Sequence, residues 1–243
     1  MKYFESKLKI ELENFADIRD KLEFCRKLDI RDVILEPTNF QEKIPLTVKK
    51  KIEDIEDLNI LFRINLKPTT LKNLKKKISS LNNVSDIISV ETADPKIQLF
   101  AARDSRIDLL SFSNYRILNS LSEGVLSLAY QNHTFIEFTL KHIMNDNIRF
   151  QSKFFRLLYK SIRMAMKKRV KYILSGNFVN KYDYRNPKAL MSILNTLIGI
   201  SMPNLESAFG ENVVSLINRA KNRVNPHIVE KGVQLIMEGE EKN

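Results

Sequence analysis

Four carboxylates stand at the edges of short apolar runs: Glu36, Glu91, Asp108 and Glu137. Val33-Ile34-Leu35 ends at Glu36, and Ile87 to Val90 ends at Glu91. Glu137 lies in the run Phe135 to Leu140, and Asp108 just inside the run Ile107 to Leu110. The C-terminal ends of barrel strands are where enzymes place reacting groups, and clustered carboxylate oxygens suit magnesium. The four could therefore serve a metal-dependent β/α-barrel phosphoesterase. The plainer reading is that they pair with Arg63, Arg103 and Arg106 inside the mouth of a barrel. Other chemistry has little to work with. His133, His142 and His227 form no H-x-H or H-E-x-x-H pair, so the spacing that holds zinc is missing. The six glycines are unclustered, which leaves no phosphate-cradling loop. No serine sits in a nucleophile elbow. The lone Cys25 excludes a disulfide framework and a cysteine zinc site.

A basic segment offers a different chemistry. Residues 149–188 hold twelve of the forty lysines and arginines but only one acid, Asp183, so the whole net charge of +11 resides there. Within the predicted helix Phe150–Val170, Lys153, Arg156, Lys160, Arg163 and Lys167 recur at intervals of 3, 4, 3 and 4. Phe155, Leu158, Ile162 and Ala165 recur at the same intervals, two residues or about 200° away. One face packs and the opposite face shows only cations. Like charges so spaced repel by a few tenths of a kcal/mol each, and no acid relieves them. A solvated outer helix is the plain reading; a phosphate-binding stripe is the sharper one. Lys168, Arg169, Lys171 and Arg185 extend the surface. Nearby aromatics (Phe150, Phe154, Phe155, Tyr159, Tyr172, Tyr182, Tyr184) could stack on unpaired bases. Tyr182 and Tyr184, in a polar loop beside Arg185, are the best placed by sequence.

Alternating strands and helices must position these groups. The predicted strands are Leu8–Leu12, Val33–Leu35, Ile60–Leu66, Ile87–Val90, Ile107–Leu110, Phe135–Leu140 and Tyr172–Leu174. Helices are expected over Phe15–Leu28, from Lys67-Pro68-Thr69 through Leu81, after the Asp94 cap with Pro95 in the first turn, and over Tyr115–Tyr130. From Pro187 the chain reads as helical with a break at Gly199–Asn204. Short apolar runs joined by helices imply parallel strands and crossovers. The expectation is an irregular TIM-barrel-like (β/α) barrel of about seven strands, with residues 1–243 as one barrel domain and a helical C-terminal tail. A doubly wound open sheet is the competing architecture. At 43% hydrophobic and 28% charged the composition is that of a soluble protein. The N-terminus lacks an apolar leader, and the longest uncharged run, Ala189–Leu205, is too short and polar to span a bilayer. A cytoplasmic location without a membrane partner is expected.

The chain resembles the archaeal RNase P protein component 3 family, the p30 subunit. The likeness lies in A-A-R-D-S-R-I-D-L-L at 101–110, I-E-F at 136–138, Y-I-L-S-G-N at 172–177 and Y-R-N-P-K-A-L at 184–190. It continues through the helical tail Ser207–Arg223. The resemblance implies a barrel distantly similar to the polymerase and histidinol phosphatase superfamily without a working metal site. It implies a subunit of the ribonucleoprotein that removes the 5′ leader of precursor tRNA. RNA is then the catalyst, Mg2+ enters through that RNA, and the chain has no catalytic or metal-ligating residue of its own. The implied partners are RNase P RNA, protein component 2 and the other protein subunits, with precursor tRNA met indirectly. Arg103, Arg106, Ser175, Gly176 and Arg185 match positions expected to serve RNA binding or the loops beside it. Asn177 stands where the family pattern has a small residue, often Ala.

Overall fold

Seven buried runs of four to eight residues form parallel strands, paired in chain order from β1 to β7. They are β1 (Phe4–Ile10), β2 (Asp32–Pro37), β3 (Asn59–Leu66), β4 (Ile87–Val90), β5 (Leu109–Phe112), β6 (Phe135–Thr139) and β7 (Tyr172–Ser175). The structure, a computed structural model, describes residues 3–39, 44–54, 58–81, 84–144, 147–177, 180, 183–224, 228–230 and 233–234. Tyr182 and His227 lie outside the described residues. Because each strand neighbours the next in sequence, the sheet never reverses direction, and the doubly wound alternative is excluded. The sheet instead curls into a nearly closed TIM-barrel-like fold. At the seam, Ser6 Oγ donates to the Leu174 carbonyl at 3.5 Å and the Gly176 N–H donates to the Glu5 carboxylate at 3.1 Å.

The crossovers are α1 (Phe15–Lys27), α2 (Leu46–Glu53), α3 (Leu71–Ser80), α4 (Pro95–Arg103), α5 (Tyr115–Asn119), α6 (Glu123–Gln131) and α7 (Ile148–Lys167). After β7 come α8 (Pro187–Ile198), α9 (Met202–Glu206), a π-helical turn at Ser207–Glu211 and α10 (Asn212–Arg223). Asn14, Thr70, Asp94, Asn114, Ser122, Asn147 and Asn186 cap their helices by accepting backbone N–H bonds. With few glycines available, Asp29, His133 and Arg169 take the left-handed turn after α1, α6 and α7, at φ of 60°, 55° and 55°. That gives His133 a structural role at a helix end. Gly199, at φ 67°, ends α8 at the predicted break.

Several boundaries differ from expectation. β1 ends at Ile10 instead of reaching Leu12. β5 begins at Leu109, so Ile107 and Asp108 precede the strand. The predicted helix Tyr115–Tyr130 is two helices, because Ser122 caps a new one. The charged stretch after Pro45 forms α2, whose weak apolar pattern gave no signal.

The apolar core has two parts. One lies between the sheet and its surrounding helices. The other fills the N-terminal end of the barrel, where Phe4, Ile34, Ile87, Leu109, Phe135 and Ile173 meet Val213, Leu216, Ile217 and Ala220 of α10. The last helix of the expected tail is therefore the barrel's floor. Burying Val213, Leu216 and Ile217 stabilises that floor by roughly 1.5–3 kcal/mol each. Arg219 donates to the carbonyls of Asn132 and Ile107 at 3.0 and 3.1 Å. Arg223 donates to those of Val84 and Asp86 at 3.0 and 2.7 Å, and to Asp108 Oδ2 at 3.0 Å.

Candidate nucleic-acid interface and the barrel interior

Strand alternation sets the barrel's second layer. Two residues beyond the apolar floor, Ile34 gives way to Glu36, Leu61 to Arg63, Ile87 to Ser89, Leu109 to Ser111, Phe135 to Glu137 and Ile173 to Ser175. A bulge in β1 advances the register from Glu5 opposite Val33 to Leu8 opposite Leu35. Three residues thus match two, and Phe4 and Lys7 both reach the interior.

Lys7 and Arg63 occupy the centre of the carboxylates. Lys7 Nζ lies 2.9 Å from Glu91 Oε2, 3.6 Å from Glu137 Oε2 and 3.7 Å from Glu36 Oε2, and donates to Ser111 Oγ at 2.9 Å. Arg63 grips Glu137 through both terminal nitrogens and donates to the Ser6 carbonyl at 3.1 Å. Its Nε sits 3.1 Å from Glu36 Oε2, an ion pair too far off angle for a hydrogen bond. Asn65 donates to Glu36 and Glu91, and Ser89 to Asn65. Burial disfavours the Lys7 ammonium, yet Glu36, Glu137 and Glu91 outweigh it and raise its pKa. Burial likewise opposes ionised Glu91, but Lys7 and hydrogen bonds from Ser113, Lys7 and Asn65 hold the carboxyl at about 2. Glu137 is also held low, its burial outweighed by Arg63 and Lys7.

These contacts match the ion-pair reading of the carboxylates in part. Glu36, Glu91 and Glu137 do come together, but their cations are Arg63 and the unforeseen Lys7. Arg103 and Arg106 are not among them. Asp108 is corrected outright: it lies at the opposite end of the barrel, bound to Arg219 and Arg223. With lysine and arginine already neutralising the carboxylates, the arrangement does not fit a magnesium site. Among the described residues, no group of three or more His, Cys, Asp or Glu is placed to hold a metal. Lys7 was hidden because Lys7 and Lys9 read as the wet face of an alternating strand, whereas that face is the barrel interior and Leu8 and Ile10 pack outward against the helices.

The cationic stripe keeps its predicted form. Lys153, Arg156, Lys160, Arg163 and Lys167 are all exposed on α7, and none forms an ion pair with a described acid. The buried face is centred on Phe154, Leu158, Ile162 and Ala165, so Phe154 replaces the expected Phe155, which is half-buried. Around the stripe the picture is mixed. Lys168 pairs with Glu123 at 2.9 Å. Arg106 forks onto Asp104, Nε to Oδ1 at 2.9 Å and Nη2 to Oδ2 at 2.7 Å. Arg103 is exposed at the end of α4, its Nε donating to the Leu99 carbonyl. Arg185, in the loop after β7, donates to the carbonyl of the preceding Tyr184. By chain direction, Arg103 and Arg106 belong to the loops at the N-terminal strand ends, Arg185 to those at the C-terminal ends. The structure therefore does not gather the candidate cations into one patch.

Ser175, Gly176 and Asn177 are buried, and the backbone N–H groups of Gly176 and Asn177 donate to the Glu5 carboxylate. Asn177 has φ 52°, a conformation that asparagine tolerates far better than alanine, which accounts for the residue found here. Burial raises the Glu5 carboxyl to about 7, against backbone N–H bonds from Lys7, Gly176 and Asn177. Tyr184 is corrected as a stacking candidate: it is 3% exposed and packs edge-on against Phe24. Tyr159, which its sequence neighbours did not distinguish, is 45% exposed.

The profile of the family described as RNase P subunit p30 matches residues 6–225. Ribonuclease P protein component 3 of Methanocaldococcus jannaschii is 25% identical over 193 residues, covering 79% of this chain and 82% of that protein. A chain in the cryo-EM structure of archaeal ribonuclease P with mature tRNA superposes with a TM-score of 0.79 at 18% identity, covering 98% of this chain and all of that one. A prolidase solved with N-methylphosphonate-L-proline shares the barrel at a TM-score of 0.54 and 9% identity, covering 96% of this chain and 77% of its own.

Proposed function

The chain belongs to the RNase P subunit p30 family and is a protein subunit of ribonuclease P, and we propose that it lays the α7 stripe along phosphates of the catalytic RNA. The observation that carries this reading is the row of five exposed cations, none of them in an ion pair with a described acid. Clustered cations on a rigid helix gain little from one another and much from a polyanion, through the release of its condensed counterions. In this reading the chain holds the RNA in its active fold together with a protein partner of the component 2 type. The RNA supplies the magnesium and removes the 5′ leader of precursor tRNA, in the cytoplasm. Among the described residues, no helix is long and apolar enough to cross a membrane.

The ion pairs inside the barrel support a structural role for Glu36, Glu91 and Glu137, because each already has a cation. Reconstituted precursor-tRNA cleavage, with and without this chain beside the RNA and the other subunits, tests the proposal. Cleavage should need less magnesium with the chain present. Equal magnesium demand in both mixtures would refute it. So would cleavage by the purified chain that Glu91→Gln abolishes.

A further inference from the structure

Tyr159 is 45% exposed beside the row of cations on α7. Around the helix axis it lies about 40° from Arg163, next to Lys160 in sequence and one turn from Arg156. Arg163 rests over its ring, guanidinium carbon to centroid 5.8 Å. On the same flank Ile148 is 75% exposed and Phe155 half-buried, so an apolar ridge runs beside the cations. The two rows are parallel: the cations from Lys153 to Lys167 span about 21 Å of helix.

We propose that Tyr159 and Arg163 form a stacking platform for an unpaired base, whose neighbouring phosphates lie on Lys153, Arg156 and Lys160. The idea rests on the stripe binding RNA and adds which kind of RNA it prefers. A duplex offers the stripe phosphates but keeps its base faces inside, so an aromatic ring beside the backbone gains nothing from it. An unpaired strand offers both, and stacking on an aromatic residue is tolerant of sequence because every base has a π-face. Arg163 serves twice, as a charge for phosphate and as a plane that extends the ring. Charge complementarity selects a nucleic acid over an apolar protein helix as the occupant, since any protein laid there would have to cover five cations.

The test compares binding of the full chain to a short unpaired RNA and to a duplex of the same length, at fixed salt. Tyr159→Ala should weaken the unpaired strand about tenfold and leave the duplex within about twofold. Tyr159→Phe should behave as the wild type on both. Lys153→Gln with Lys160→Gln should weaken both RNAs, which separates failure of the stripe from failure of the platform. Equal effects of Tyr159→Ala on the two RNAs, or none, would overturn the platform while leaving the stripe intact. Unchanged RNA affinity together with loss of a protein subunit from the reconstituted complex would assign the ridge to a protein contact instead, and would also overturn it.

Discussion

Arg63 holds Glu137 with two parallel bonds, Nη1 to Oε1 at 2.7 Å and Nη2 to Oε2 at 3.1 Å, at the centre of the barrel. The pair joins β3 to β6 across the interior, where a layer of aliphatic side chains would serve in many barrels. A buried ion pair of this kind is a weak source of net stability but a strong penalty when half of it is removed. Arg63→Met should therefore cost about 3–5 kcal/mol in urea unfolding. Arg63→Met with Glu137→Met should cost less than the two single changes together, with a coupling of about 0.5–3 kcal/mol. Strict additivity would show that the two side chains act independently.

Glu5 and Glu91 should tilt the pH dependence of stability in opposite directions. Burial raises the Glu5 carboxyl from 4.5 to about 7, so its contribution is complete below pH 4.5 and is lost as pH rises through 7. The loss is worth up to about 3 kcal/mol. Glu5→Gln should stabilise the protein relative to wild type increasingly across that window. Glu91, held at about 2, contributes stability above pH 4.5 that disappears as pH falls through 2. Unfolding curves of Glu5→Gln and Glu91→Gln that run parallel to wild type at every pH would contradict both assignments.

The floor of the barrel should open before the rest. Arg223→Ala removes bonds to Asp108 and to the carbonyls of Val84 and Asp86. It should cost about 3 kcal/mol and speed amide exchange first in α10 and at the starts of β4 and β5. Arg223→Lys should not restore the loss, because an ammonium cannot fork between carboxylate and carbonyls. Uniform acceleration of exchange over all strands would argue against a separable floor.

A helix end offers a simpler check. Asp29 sits at φ 60° after α1. Asp29→Gly should raise stability by up to about 1 kcal/mol, seen as a higher Tm, while Asp29→Ala should lower it. A rise with both would mean that the gain comes from removing the charge.

The barrel was largely readable because apolar runs at a strand's length, each followed by a capped helix, admit few other folds. Strand edges were less so: Ile107 and Leu110 look alike in sequence, yet only the second lies in a strand. The cationic stripe was legible for a related reason, since helical spacing alone decides which residues share a face. Lys7 was not, because alternation sets it opposite Leu8 and Ile10 without saying that its face lines the barrel interior. Nor was the pairing of Asp108 with Arg219 and Arg223, which are more than a hundred residues away. Tyr159 and Tyr184 show the same limit, for local sequence cannot tell a ring at the rim of a helix from one that the neighbouring α1 covers.

Charge should govern how this protein holds RNA. Affinity of the full chain for RNase P RNA, measured against salt, should fall steeply and linearly on logarithmic axes. Lys153→Gln, Lys160→Gln and Lys167→Gln made together should reduce the magnitude of that slope by about two to three, roughly one for each phosphate that no longer meets a cation. Cleavage by the reconstituted complex should then need more magnesium. An unchanged slope and an unchanged magnesium requirement in the triple variant would contradict the account.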